Sequence, residues 1–144
     1  MRIQVSRIPA EGLKLEATYD PLALDMARED THPAAPVSLV GLARKEEQEL
    51  IVEAMVRCVL ECTCARCLTC FESVVKKDCL FNYDVSTRQV VDITDDVRQE
   101  IMLDYPLIPV CQEDCRGLCA RCGHNLNESD CAHQLGVEDD PGAE

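Results

Sequence analysis

Eleven cysteines stand in a chain of 144 residues, and their spacing is that of a metal-binding protein. Cys64-Ala-Arg-Cys67 is a C-x2-C pair. Cys119-Ala-Arg-Cys122-Gly123 repeats it, with a glycine that suits the tight turn of a metal knuckle. Cys111 and Cys115 form a looser pair, and Cys131-Ala-His133 closes the series. Structural zinc takes four nitrogen or sulfur ligands in a tetrahedron, commonly delivered as short-spaced pairs. The pairs present suffice for one or two Zn2+ ions. Cys119, Cys122, Cys131 and His133 are close enough in sequence to close a site locally, which leaves Cys64 and Cys67 to meet Cys111 and Cys115. The alternative is a single site of Cys64, Cys67, Cys119 and Cys122. His124 reads as a solvent-facing neighbour of the knuckle, and Cys58, Cys62, Cys70 and Cys79 as buried small hydrophobes.

Other sulfur chemistry fits less well. Cys115-x3-Cys119-x2-Cys122 has the spacing of a radical-SAM iron–sulfur motif, but those enzymes need a large barrel and this motif sits near the end of a short chain. No βαβ pattern frames either C-x2-C pair as a thioredoxin-like redox centre. An odd cysteine count without an export signal speaks against a disulfide framework and for a reducing, cytoplasmic location. The three histidines form no Ser/His/Asp arrangement, and there is no Gly-rich phosphate loop. The expectation is a protein that is not an enzyme and has no small-molecule substrate.

Charge narrows the partners. The formal net charge is −13, from 27 acidic and 14 basic residues. Non-specific nucleic-acid binding runs on phosphate neutralisation by Lys and Arg, so the surface as a whole does not suit it. An anionic membrane is disfavoured for the same reason, and no apolar run approaches a membrane span. A basic partner is electrostatically more natural. Arg57, Arg66, Lys76, Lys77, Arg116 and Arg121 cluster in sequence around the cysteine pairs. They read either as one local basic patch or as scattered solvated charges. Arg66 and Arg121 sit inside C-x2-C pairs, where the side chain must point away from a metal, and are the candidate partner-binding residues.

The elements that must position these residues follow from periodicity. Ile3 and Val5, then Leu13, Leu15 and Ala17, alternate with polar residues and predict an antiparallel hairpin over 1–19. A short helix over Leu22–Arg28 and a loop over 32–36 follow. Val37–Arg44 predicts a strand, Lys45–Gln48 a turn, and 50–63 a strand rich in Val, Ile and Cys. A tight turn at Ala65-Arg66 would pair Cys64 with Cys67, Cys62 with Thr69, Leu60 with Phe71, Cys58 with Ser73 and Val56 with Val75. A further strand covers Leu80–Val85. One helix spans about 94–105, with Thr94 as N-cap, Asp95 and Asp96 at the positive end of the dipole, and a Val97, Ile101, Tyr105 stripe. The fold class expected is α+β: an antiparallel β-sheet, one main helix and a Cys-rich zinc-binding C-terminal segment. Residues 1–133 form a single domain whose zinc knuckle is 111–133, and 134–144 is an acidic, disordered tail.

The order of motifs resembles a known family. Cys64-Ala-Arg66-Cys67-Leu68 is followed by Phe71, then by Asp92 to Glu100, Tyr105-Pro106 to Cys111, and Asp114-Cys115-Arg-Gly-Leu-Cys119-Ala-Arg-Cys122-Gly-His-Asn125-Leu-Asn127. This is similar to the YceD family, the large ribosomal RNA subunit accumulation proteins, over roughly residues 40–133. Ala120 stands where the family usually has Pro, and His133 where a Cys is common, a swap that zinc tolerates. The resemblance implies a role in 23S rRNA accumulation and large-subunit assembly, with a pre-50S particle, 23S rRNA or a basic ribosomal protein as partner. The alternative function is a redox-responsive zinc/thiol switch.

Overall fold

The computed structural model describes residues 1–133; the expected acidic tail, 134–144, lies outside the described residues. The architecture is mostly antiparallel sheet with one α-helix. Its spine is a long hairpin of two 15-residue strands, β5 (Glu49–Thr63) and β6 (Cys70–Asp84), paired along their whole length. Even-numbered residues of β5 from Leu50 to Cys62 are all buried, and most odd-numbered ones face out. A strict period of two under a single covered face explains why this segment is strand rather than helix.

The opposite side of β5 is shared. β4 (Val37–Glu46) pairs with Glu49–Arg57 through a tight turn at Glu47 and Gln48, and β3 (Thr31–Pro33) pairs with Leu60–Cys62. β2 (Leu13–Tyr19) lies outside β4 and completes the five-stranded sheet. Gly41 sits in the middle of β4, where a Cβ would lie 2.4 Å from the Glu53 carbonyl oxygen and 2.9 Å from the Ala54 Cβ, so only glycine lets the two strands approach. A small second sheet pairs β1 (Arg2–Gln4) with β7 (Val90–Asp92).

The helix α1 (Thr94–Leu103) packs on the covered face of β5 and β6. Val97, Ile101 and Tyr105, the predicted stripe, are buried there. Arg98 ties the helix to the connection before β3, donating through Nε to the Leu24 carbonyl (2.6 Å) and through Nη2 to that of Asp25 (3.0 Å). Lys77 of β6 reaches Glu100 (2.9 Å) and Asp104 (3.1 Å).

Several expectations are corrected. Residues 1–19 do not form a hairpin: β1 finds β7 and β2 finds β4, because each apolar face is better covered by those partners than by its sequence neighbour. Leu22–Arg28 is not helix but a turn through Asp25 followed by irregular chain, and the expected loop at 32–36 begins with strand β3. Leu80–Val85 is not a separate strand but the end of β6. The long hairpin keeps the predicted faces but slips by two residues, with Cys62 opposite Phe71, Leu60 opposite Ser73 and Cys58 opposite Val75. Thr94 is the first helical residue rather than the cap; Ile93 occupies the cap position and Thr94 instead donates to Asp92.

Candidate metal centres

The hairpin slips because its tip is a wider loop than a two-residue turn. The Leu68 N–H donates to the Cys64 carbonyl (2.9 Å), and Leu68 takes a left-handed backbone, φ 59°. The second C-x2-C pair repeats this turn. The Gly123 N–H donates to the Cys119 carbonyl (2.8 Å), and Gly123 has φ 72°. The two Cys-Ala-Arg-Cys sequences therefore make the same loop. Glycine fills the left-handed position at no steric cost in one copy, and leucine holds it against strain in the other.

Four thiols meet at the first loop. Cys64, Cys67, Cys111 and Cys115 have sulfur atoms all within 4.8 Å of one another. Cys64 and Cys115 are 3.8 Å apart, Cys67 and Cys111 3.6 Å. A tetrahedral ion with metal–sulfur bonds near 2.3 Å holds its sulfurs about 3.8 Å apart, so this spacing fits zinc. All eleven cysteines are free thiols. Three of the four in this cluster are buried and Cys111 is half-buried.

Backbone donors converge on the cluster. Burial pushes the Cys64 thiol up, but the N–H groups of Cys67, Cys111 and Arg66 aimed at its sulfur outweigh that and hold it at about 6. Hydrogen bonding from Thr69 lowers Cys67. Desolvation and the neighbouring sulfurs push Cys111 up to about 12. Four thiols crowded together cannot all ionise without a cation, so the quartet carries its own demand for positive charge.

The second cluster is Cys119, Cys122, Cys131 and His133, with ligand atoms again within 4.8 Å. It is more open: Cys119 is buried, Cys131 half-buried, Cys122 and His133 exposed. Backbone N–H groups of Cys122 and Arg121 bring Cys119 down to about 6. His124 is not among these ligands; it is half-buried and lies 2.8 Å from Ser129 Oγ.

The segment between the two ligand pairs of the second cluster braces the first. Asn127 donates from Nδ2 toward the Cys115 sulfur (3.3 Å) and accepts from the Arg116 N–H (2.8 Å). Asn125 donates to Thr69 Oγ1 (3.4 Å), and that hydroxyl lies 3.4 Å from the Cys67 sulfur. Gly117 (φ 75°) approaches Arg66, where a Cβ would lie 3.1 Å from the Arg66 carbonyl oxygen. In the sequence Asn125 and Asn127 are only letters of a motif; the fold brings one to the Thr69 hydroxyl and the other to the Cys115 sulfur.

The arginines are placed differently from one another. Arg66 is exposed, yet its Nη1 donates to the carbonyls of Glu113 (3.3 Å) and Cys115 (3.1 Å), so it clasps the loop that carries two candidate ligands. Arg121 is exposed, and its side chain makes no hydrogen bond or ion pair among the described residues. Of the six basic residues, Lys77 and Arg116 are engaged with carboxylates, while exposed Arg57 and Lys76 stand opposite each other on β5 and β6. Cys70, expected to be buried, is exposed, because position 70 falls on the open face of β6.

The features together define an antiparallel-sheet protein with one helix and two cysteine-rich clusters able to hold metal ions. Residues 82–142 match the family described as "Large ribosomal RNA subunit accumulation protein YceD", in agreement with the resemblance carried by the motifs. A protein of Mycobacterium leprae (strain TN), described as uncharacterized, is 32% identical over 108 residues that cover 64% of this chain. The chain spans about half the length, 50%, of that curated relative. No solved structure matches. Among the described residues no helix is long and apolar enough to cross a membrane.

Proposed function

We propose that this chain is a non-enzymatic factor for accumulation of 23S rRNA and assembly of the large ribosomal subunit, acting as a zinc-stapled binding module in the cytoplasm. The observation that carries the reading is the family match over 82–142, which spans the second cluster and half of the first. The sulfur spacing supports zinc as the ion, with Cys64, Cys67, Cys111 and Cys115 as one ligand set and Cys119, Cys122, Cys131 and His133 as the other. In such a protein the ion does no chemistry; it fixes the loops that meet the partner. Residues 1–133 would act as one unit. The partner is a pre-50S particle, touched through 23S rRNA or a basic ribosomal protein, and the acidity of the chain favours the protein contact. Arg121 is the better placed of the two candidate arginines to meet that partner.

The test is affinity capture of the metal-loaded chain on purified pre-50S particles at graded salt, with crosslinking to assign the contact. Retention that falls when Cys119 and Cys122 are both changed to Ser supports the reading. Retention equal to that of an unrelated acidic protein overturns it.

A second reading has one observation in its favour. At the open cluster, backbone N–H groups hold the buried Cys119 thiol at about 6. The His124 N–H lowers the exposed Cys122 beside it, but the neighbouring sulfurs push that thiol up on balance, so an attack on Cys119 would require the cluster to open. Thiolate character and exposure are what peroxide selects. Metal release from this cluster at low peroxide, with loss of particle binding, would make the module a redox switch as well.

A further inference from the structure

β6 is an edge. β5 lies along one side of it for all 15 residues, and no strand among the described residues pairs with the other side. The direction of its backbone groups can be read from β5. The Thr63 N–H donates to the Asp30 carbonyl, and the Ala34 N–H to the Val59 carbonyl, so odd residues of β5 bond toward β3. Even residues of β5 therefore bond toward β6, and their partners there are the odd ones. The N–H and C=O groups of Cys70, Glu72, Val74, Lys76, Asp78, Leu80, Asn82 and Asp84 point to the free edge. The side chains of the same residues are all exposed on the open face of the sheet.

Natural proteins protect a long edge with proline, a bulge, short length, a covering segment or charged side chains. Among the described residues β6 has only the last: Glu72, Lys76, Asp78 and Asp84 are exposed and in no ion pair among the described residues. The central two are Lys76 and Asp78. They flank the midpoint of the strand, and outside them stand Val74 and Leu80, which are 54% and 71% exposed.

We propose that β6 pairs with β6 of a second copy of this chain, antiparallel and two-fold symmetric about Lys77. In that register Lys76 faces Asp78 of the other copy, and Asp78 faces its Lys76. Val74 and Leu80 face each other on either side, and Glu72 faces Asn82. All these are even–even pairs, so the outward backbone groups meet as hydrogen-bonded pairs. Moving the axis by one residue either way sets Lys76 against Lys76 or Asp78 against Asp78, which is unfavourable. Near the strand midpoint charge complementarity therefore favours this register, and its symmetry selects a like chain. On the covered face the two Lys77 side chains come opposite each other, but each is already neutralised by Glu100 and Asp104 of its own chain. The product is one continuous ten-stranded sheet, and the inference does not rest on the metal or ribosomal readings.

The test is sedimentation velocity of the intact chain across the concentrations reached in purification, with amide exchange on β6. The wild type is expected to dimerise, with slowed exchange at the N–H groups of Val74, Lys76, Asp78 and Leu80 in the dimer. Lys76→Asp should give monomer, since acids then face acids. Lys76→Asp with Asp78→Lys should restore the dimer, because the swapped pair is again self-complementary. Both changes lie on an exposed face, and an unshifted melting transition at low concentration confirms folding. A wild type that stays monomeric overturns the proposal, and so does a dimer indifferent to the single swap. Strand addition by a different partner would appear as protection of the same amides only in a mixture, with the chain alone monomeric, and would likewise overturn it.

Discussion

At Arg66 the guanidinium reaches back to the carbonyls of Glu113 and Cys115, which makes it a brace for the first cluster before it is a contact for anything else. Hydrogen bonds of this exposed, charge-assisted kind are worth on the order of 1 kcal/mol net. Arg66→Ala is therefore expected to lower the melting temperature and to speed extraction of metal from the first cluster by a chelator, whereas Arg121→Ala should change neither. The matched turns give a second residue-scale test. A Cβ on Gly123 meets nothing within 4 Å, so Gly123→Ala reports backbone strain alone. A left-handed non-glycine residue costs about 1–2 kcal/mol, and thermal unfolding should show that loss. Leu68→Gly should move the other way by less, because the relief of strain is offset by glycine's greater freedom when unfolded.

Among the elements, β4 has the least tolerance. Gly41→Ala forces a Cβ against the Glu53 carbonyl and Ala54, both rigid parts of β5, and repacking of that kind costs about 1–3 kcal/mol. Denaturant unfolding should show the loss with an unchanged slope. The start of α1 carries the acid sensitivity. Thr94 donates from its side chain and its N–H to Asp92, Arg2 adds a further bond, and together they hold the Asp92 carboxyl well below the usual range. Because the folded value lies below the unfolded one, Asp92 contributes stability above its unfolded pKa and loses it as pH falls through the folded value. Asp92→Asn should therefore be less stable than wild type at neutral pH, and the gap between them should close toward acid.

Legibility differed by element for physical reasons. The long strands and α1 could be read because one covered face imprints a period of two on 50–62 and a period near four on 97–105. The register of the hairpin could not, since it depends on a left-handed Leu68 that no propensity favours. β1 shows as a strand in the Ile3 and Val5 alternation but its distant partner, β7, does not, and β3, three residues paired with a distant strand, has no local signal at all. The two clusters that could hold metal ions were legible because metal spacing is local and arithmetic. The bracing by Asn125 and Asn127 was not, because it joins residues brought close only by the fold.

For the whole molecule, the apolar core and the sulfur cluster are two clusters that share Phe71. The main core runs from Ile3 to Tyr105, while Cys64, Cys67 and Cys115 form their own small cluster with Phe71, Val110, Cys111 and Leu118 against it. Pinning the hairpin tip would suggest that losing Cys64 unravels everything; a junction of one shared side chain argues for less. Cys64→Ser should leave the main unfolding transition nearly in place and free residues 106–133 to protease, whereas Cys131→Ser should expose only the region beyond Leu118. Elemental analysis should find about two zinc ions per chain in wild type and about one in each variant, by ligand count.

Cys67 and Cys111 are 44 positions apart, yet their sulfurs touch only because β6, β7 and α1 carry the chain away and back again. Closing so long an excursion by an ion alone would be entropically costly; here the docked helix has already closed it. If the first cluster holds an ion, its tight capture would thus be a late event in the life of the chain. While the polypeptide is still emerging, Cys64 and Cys67 offer half a site. The grip tightens only when the segment after the helix has come home. Metal occupancy of that cluster would then serve as a certificate of maturity, borne by chains that have finished folding and withheld from those that have not.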